Sequence, residues 1–272
     1  MNIPTFVFVI VGVLIFLLLL YLFLIAPKKS KEMKKFKNVL YAHRGLHNDE
    51  RAENSMSAFR AAVEYGYGIE LDIRLSKDGK LVVFHDDTLD RVCGREGRVV
   101  DFTADELATF KLCGTDDGIP LFSDVLSMVD GKVKLLVEIK EHPGDSSVSK
   151  AACLMLKEYK GEYIVESFNP ISLAVVKKEM PEVMRGILSH RYYEYEKSRK
   201  PLYFLLQSLM LNFICRPAFI AYDHRHAGGF GLRLVRFLFR VPTLAWTVRS
   251  PEDEAKARKN GFDSVIFENY LA

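Results

Sequence analysis

The sequence predicts a TIM (β/α)8 barrel, of class α/β, carried behind a single membrane-spanning helix. Three observations lead there: an uncharged apolar run of 24 residues from Ile3 to Ala26, eight strand-like runs alternating with helical patterns from residue 38 onward, and the roughly 235 residues left for one core. Such alternation calls for a mostly parallel sheet, and a barrel of this size commonly forms one domain. An open doubly wound sheet is written in the same alphabet.

The apolar run is long enough to span a hydrocarbon core, and it lacks the basic start, short apolar stretch and small-residue cleavage site of a secretory signal peptide. Residues 1–27 are therefore expected to be an uncleaved transmembrane helix, and residues 28–37 a basic linker in which Lys28, Lys29, Lys31, Lys34, Lys35 and Lys37 accompany one acid, Glu32. A positive flank predicts a cytoplasmic domain behind the helix, in a single-pass membrane protein. Lysines near a bilayer also attract anionic lipids, by about 1 kcal/mol each. The domain beyond residue 37 holds 32 basic against 34 acidic side chains, so its net charge gives no support to a nucleic acid partner. Cys93, Cys113, Cys153 and Cys215 are spaced too widely for a zinc site and are expected to be reduced.

In chain order, the first strand is read at 38–45 (NVLYAHRG) and the first helix at 55–66, ending on Gly66. Strand two, GIELDIRL at 68–75, sets Ile69, Leu71, Ile73 and Leu75 on one face and Glu70, Asp72 and Arg74 on the other, because side chains two apart share a face. Asp78 and Gly79 make a hairpin turn that sends LVVFHDD back antiparallel and returns His85 to the barrel mouth. Residues 88–132 fit no simple βα unit and are read as a small insertion capping that mouth. Further strands follow at 133–140, 162–168, 185–189, 219–224, 243–248 and 263–269, with helices at 146–161, 169–180 and 250–261. The last helix has Ser250 as N-cap, Pro251 in its first turn and Gly261 as its stop. The weakly charged segment 201–217 is expected to form a buried helix, the alternative being a helix or loop resting on the bilayer.

Barrel active sites lie at the carboxyl ends of the strands. His43 and Arg44 end strand one, Glu70 and Asp72 lie on strand two, and Glu138 and Lys140 end strand three with Leu135, Val137 and Ile139 facing outward. Three carboxylates converging in an apolar barrel repel one another unless a cation sits among them. All-oxygen ligation favours Mg²⁺, Ca²⁺ or Mn²⁺ over zinc. His43 and His85 flanking that cation, together with Arg44 and Lys140, suit proton transfer around an anion, for which phosphoryl oxygens are the natural target.

The segments AHRG (42–45), ENS (53–55), ELD (70–72), SKDGKLVVFHD (76–86), EIK (138–140), SF (167–168) and WTV (246–248) resemble, in order and spacing, the glycerophosphodiester phosphodiesterase family across residues 38–269. The resemblance implies a barrel phosphodiesterase that cleaves glycerol-linked phosphodiesters to glycerol 3-phosphate and an alcohol with a divalent cation. It implies His43 and His85 as general acid and base, Glu70, Asp72 and Glu138 as metal ligands, and Arg44 and Lys140 as the phosphate's partners. Glu53 would support the site, and Trp246 would either wall the pocket or belong to the core. Ser55 replaces the family's usual threonine, Arg249 stands where asparagine is usual, and Phe267 and Glu268 stand where threonine and aspartate are common; the last changes bear on the substrate pocket. The expected substrate is a glycerophosphodiester or, given the membrane anchor, a lysophospholipid. Rivals are a barrel phospholipase acting on another phosphodiester lipid and a noncatalytic membrane-bound binding module.

Overall fold

In the computed structural model, which describes residues 3–272, eight parallel strands close into a barrel. They are β1 (Leu40–Ala42), β2 (Gly68–Leu75), β4 (Leu135–Ile139), β5 (Tyr163–Ser167), β6 (Arg185–Ser189), β7 (Phe219–Asp223), β8 (Thr243–Val248) and β9 (Ser264–Phe267), with the short β3 (Leu81–Val83) outside the ring. Closure is made by β1, which pairs with β9 on one edge and with β2 on the other. All eight strands fall inside the runs expected from sequence. The doubly wound alternative is thereby excluded, since an open sheet has no pairing between its first and last strands.

The lower interior is filled by Tyr41, Leu136, Ile164, Phe219, Leu244 and Ile266, the inward residues of six strands. Below them lies a surprise in the basic segment. Glu32–Phe36 forms a 3-10 turn whose Met33 and Phe36 are buried in the same cluster, so these two residues close the barrel's floor while the neighbouring Lys31, Lys34, Lys35 and Lys37 stay exposed. Two apolar residues three apart on one face of a tight helix are enough to anchor it there.

β2 is long because it serves two partners on one edge. Its lower end pairs with β1, and Ile73–Leu75 pair antiparallel with Leu81–Val83 of β3, which is the hairpin predicted from Asp78-Gly79. The insert behind it has its own apolar cluster, including Val82, Phe84, Leu89, Val92, Val99 and Leu107. The stretch 88–132 divides: its first part belongs to this insert, while Phe122–Val129 is a helix with Phe122, Val125, Leu126 and Val129 buried in the main core. The i, i+3, i+4, i+7 spacing of those four residues marks an ordinary outer helix of the barrel.

Segment 201–217 does not form a buried helix. It breaks into Pro201–Gln207, with no buried residue, and Asn212–Cys215, with Asn212 and Cys215 buried; Leu202 and Phe204 are about half exposed. Among the described residues one helix, Ile3–Ile25, holds a stretch (Phe6–Ile25) long and apolar enough to cross a membrane.

Candidate active site

The mouth is formed where the strand ends bring inward-facing carboxylates into lateral register. Asp72 pairs across to Glu138, and Glu138 to Glu166; Glu70 lies one inward position lower on β2. All four are buried. One carboxylate oxygen each from Glu70, Glu138 and Glu166 can lie within 4.8 Å of the others. Glu166 was missed in the sequence, although the alternation of EYIVESF puts it on the same face as Ile164. Asp72 is turned instead toward Lys140 Nζ at 3.2 Å, Arg44 Nε at 3.5 Å and Asn54 Nδ2, which donates at 2.8 Å.

The electrostatics follow from these placements. Burial pushes the Glu70 carboxyl well above the usual range, with Asp72 and Glu138 adding to it. Glu138 is pushed up to about 7 by burial against the opposing pull of Lys140, and Glu166 is likewise raised by burial and by Glu138. Asp72 goes the other way: although burial opposes it, Lys140, His85 and Arg44 hold its carboxyl well below the ordinary value. Three of the four carboxyls are thus raised by burial and one is held down by cations, and Glu166 Oε2 is buried without a hydrogen-bond partner. That is a donor set that fits a hard divalent cation.

Both predicted histidines reach the mouth, and each is held by a carboxylate at Nδ1. His43 Nδ1 pairs with Glu268 Oε2 at 2.5 Å, leaving Nε2 at 4.0 Å from Glu70. His85 Nδ1 pairs with Asp86 at 2.6 Å, and Asp86 is in turn held by Arg91. Arg74, third of the charged residues on β2, does not point at a ligand: its Nε and Nη2 donate to the His85 carbonyl at 2.9 and 2.8 Å, clamping the return leg of the hairpin. Burial lowers both imidazole pKa values, that of His85 to about 4.

The loop after β1 explains the His-Arg-Gly signature. Arg44 sits at φ 55°, in the left-handed region, which aims its N–H at Glu70 Oε2 (2.9 Å) while its guanidinium reaches Glu53 at 2.6 Å. A side chain on Gly45 would meet Ala58 Cβ and Phe59 Cδ1 at 2.9 Å, so only glycine allows the helix Met56–Glu64 to close on this loop. Glu53 also binds Arg91, and although burial opposes it, Arg91 and Arg44 lower its carboxyl to about 2. Lys140 Nζ lies 2.7 Å from Glu138.

Trp246 stands at the rim in an aromatic wall, edge-on to Phe168 with ring centroids 5.5 Å apart and 5.9 Å from His190. His190 stacks on Tyr195, whose hydroxyl donates to the buried Asp223 at 2.7 Å. The departure Glu268 touches His43, a candidate proton carrier, and Arg249 Nε donates to Glu268 Oε1 at 2.6 Å. Two of the four departures from the family pattern, Arg249 and Glu268, are thus partners beside His43.

Residues 43–271 match the Glycerophosphoryl diester phosphodiesterase family. A glycerophosphodiester phosphodiesterase of Caldanaerobacter subterraneus subsp. tengcongensis is 38% identical over 168 residues, 56% of this chain and 67% of its own length. A lysophospholipase D of Rattus norvegicus is 31% identical over 60% of this chain and 54% of its own. Among solved structures, an Oleispira antarctica phosphodiesterase in complex with the product sn-glycerol-3-phosphate superposes with a TM-score of 0.70 at 22% identity, covering 86% of this chain and 94% of that one.

Proposed function

The chain belongs to the glycerophosphoryl diester phosphodiesterase family, and from that premise we propose that it hydrolyses glycerophosphodiesters to glycerol 3-phosphate and an alcohol at the mouth described above. The observation that carries this reading is the meeting of a buried carboxylate ring with two carboxylate-held histidines at one barrel mouth. Glu70 and Glu138 would hold a divalent cation, joined from the same ring by Asp72 and Glu166. When bound, such an ion withdraws charge from the phosphoryl oxygens and orients them.

The remaining work falls to side chains. Arg44 and Lys140 would face the phosphate's non-bridging oxygens, their positions set by Glu53 and Glu138. With Nδ1 engaged on each ring, Nε2 is the atom left to exchange a proton. His85, neutral above about pH 4, suits the base that accepts a proton from a glycerol hydroxyl attacking phosphorus; His43, whose charged form Glu268 favours, suits the acid that protonates the leaving alcohol, and water then opens the resulting cyclic phosphate to glycerol 3-phosphate. Glu268 and Asp86 are positioning residues. The aromatic wall of Phe168, His190 and Trp246 would meet the apolar parts of the substrate.

We take Mg²⁺, Ca²⁺ and Mn²⁺ as candidate ions, and lysophospholipids alongside water-soluble diesters as substrates, because the apolar helix supports a membrane location. The lysines behind that helix favour a cytoplasmic catalytic domain. The test is release of glycerol 3-phosphate, or of a lysophosphatidate, by the purified full chain from a panel of glycerophosphocholine, glycerophosphoglycerol and lysophospholipids, with each cation and with chelator. Absence of product in every condition overturns the reading.

A further inference from the structure

The N-terminal helix is fastened to the barrel at three levels, and their order gives its direction. At the floor, Lys28 N donates to the carbonyl of Pro217, which precedes β7. Midway, Asn212 Nδ2 donates to the Ile25 carbonyl at 3.1 Å, and Arg216 Nη1 to those of Phe23 and Ala26. Near the mouth, the Tyr21 hydroxyl donates to the Ser208 carbonyl at 3.2 Å and its ring stacks on Phe230, beyond the end of β7. The level of that last contact is fixed independently, because Ser189 Oγ at the mouth end of β6 donates to the Leu206 carbonyl. Residues 28 to 21 therefore climb the barrel wall from floor to mouth, and Leu20 back to Ile3 project past the mouth.

Length removes any slack. From Ile3 to Leu20 the helix measures roughly 27 Å at 1.5 Å per residue, about the thickness of a hydrocarbon core. Residues 6–20 are exposed throughout, while Ile25 is fully buried against the barrel. If Ile3–Leu20 fills the bilayer, the mouth side of the barrel lies at its surface, with Tyr21 at the depth where interfacial tyrosines gather.

We propose that the catalytic mouth faces the bilayer, and that the connection from β6 to β7 at its rim is a second membrane contact that seats it on anionic lipid. The chemistry of that connection matches. Arg191, Lys197, Arg199 and Lys200 outnumber Glu194 and Glu196, and Leu202 and Phe204, 53% and 49% exposed, follow on the helix Pro201–Gln207. Basic residues beside exposed apolar ones suit the headgroup boundary. A groove of about 810 Å³ lined by Tyr21, Phe204, Tyr222, Arg225 and Phe230 runs between the N-terminal helix and the rim. The lysines at 28–37 are left at the far end, where Lys28 and Lys37 bind Pro181 and Asp263.

This inference rests on Ile3–Ile25 spanning a membrane and not on the reaction assigned to the site. It is tested with the full chain, carrying Cys113→Ser to remove its exposed thiol, in vesicles of phosphatidylcholine and phosphatidylglycerol. Single cysteines at Leu202→Cys and Phe204→Cys on the rim and at Lys132→Cys on the floor carry an environment-sensitive fluorophore. The expected result is blue-shifted emission and loss of most intensity to spin-labelled phospholipid at 202 and 204, with iodide reaching only the floor probe. Equal quenching at all three positions, stronger quenching at 132, or none anywhere overturns the proposal. Emission is read without turnover, so an inactive enzyme and a wrongly assigned membrane face give different results.

Discussion

Replacing Glu268 by glutamine keeps the side-chain volume and removes one negative charge from the Nδ1 side of His43. The carboxylate stands 2.5 Å from that nitrogen with its side chain only 11% exposed, so solvent does little to replace it. A hydrogen bond to a charged group in such a setting contributes about 1.5–3 kcal/mol. Lost wholly from the transition state, that lowers kcat by roughly 10- to 200-fold at 1.36 kcal/mol per decade. The pH dependence gives a second readout. Burial already lowers the His43 pKa, and Glu268 opposes that by favouring the imidazolium; without the carboxylate the pKa falls further, so the limb of the pH–rate profile owed to His43 moves to lower pH whether the ring acts as acid or base. Steady-state kinetics on a water-soluble glycerophosphodiester, with KM and kcat separated, measure both effects. Arg249→Ala, which removes a partner whose side chain is 55% exposed, serves as the comparison and should change kcat less. A Glu268→Gln enzyme with wild-type kcat and an unmoved limb would refute the positioning role.

Other expectations follow from the same geometry. Glu70→Gln should abolish turnover while leaving the thermal transition in place, and chelator should do the same to the wild type until cation is restored; activity in either case would break the link between the carboxylate ring and catalysis. Asp72→Asn and Glu166→Gln should each weaken cation binding by about tenfold or more, as does loss of groups around a metal, read by calorimetric titration. Because burial pushes the Glu138 carboxyl up to about 7 and raises that of Glu70 as well, cation binding must expel protons: affinity should rise as pH climbs through about 7 and weaken below it, and titrations in buffers of different ionisation enthalpy would reveal the protons released. Gly186→Ala should lower stability by about 1–3 kcal/mol through overpacking, since a Cβ there runs into the Phe219 ring; an unchanged melting temperature would contradict that packing.

The sequence by itself determined the strands and their faces. A period of two in GIELDIRL and VKLLVEIK assigns Glu70, Asp72 and Glu138 to one side whatever the strands pair with, and the Asp78-Gly79 turn returns His85 because a short hairpin loop can only send the chain back antiparallel. The cap at Ser250, which accepts a backbone N–H, was legible for the same local reason. What sits beside what was not. Glu166 joins the ring only because β5 pairs with β4 in a register that sets it next to Glu138, and Glu268 meets His43 across 225 positions only because β9 closes on β1. Likewise Met33 and Phe36 look like linker residues until a barrel stands above them, and nothing within an apolar helix tells which end of that barrel it passes. Local pattern fixes direction along the chain, whereas lateral register, closure and docking arise from contacts between distant segments, and these only the tertiary structure decided.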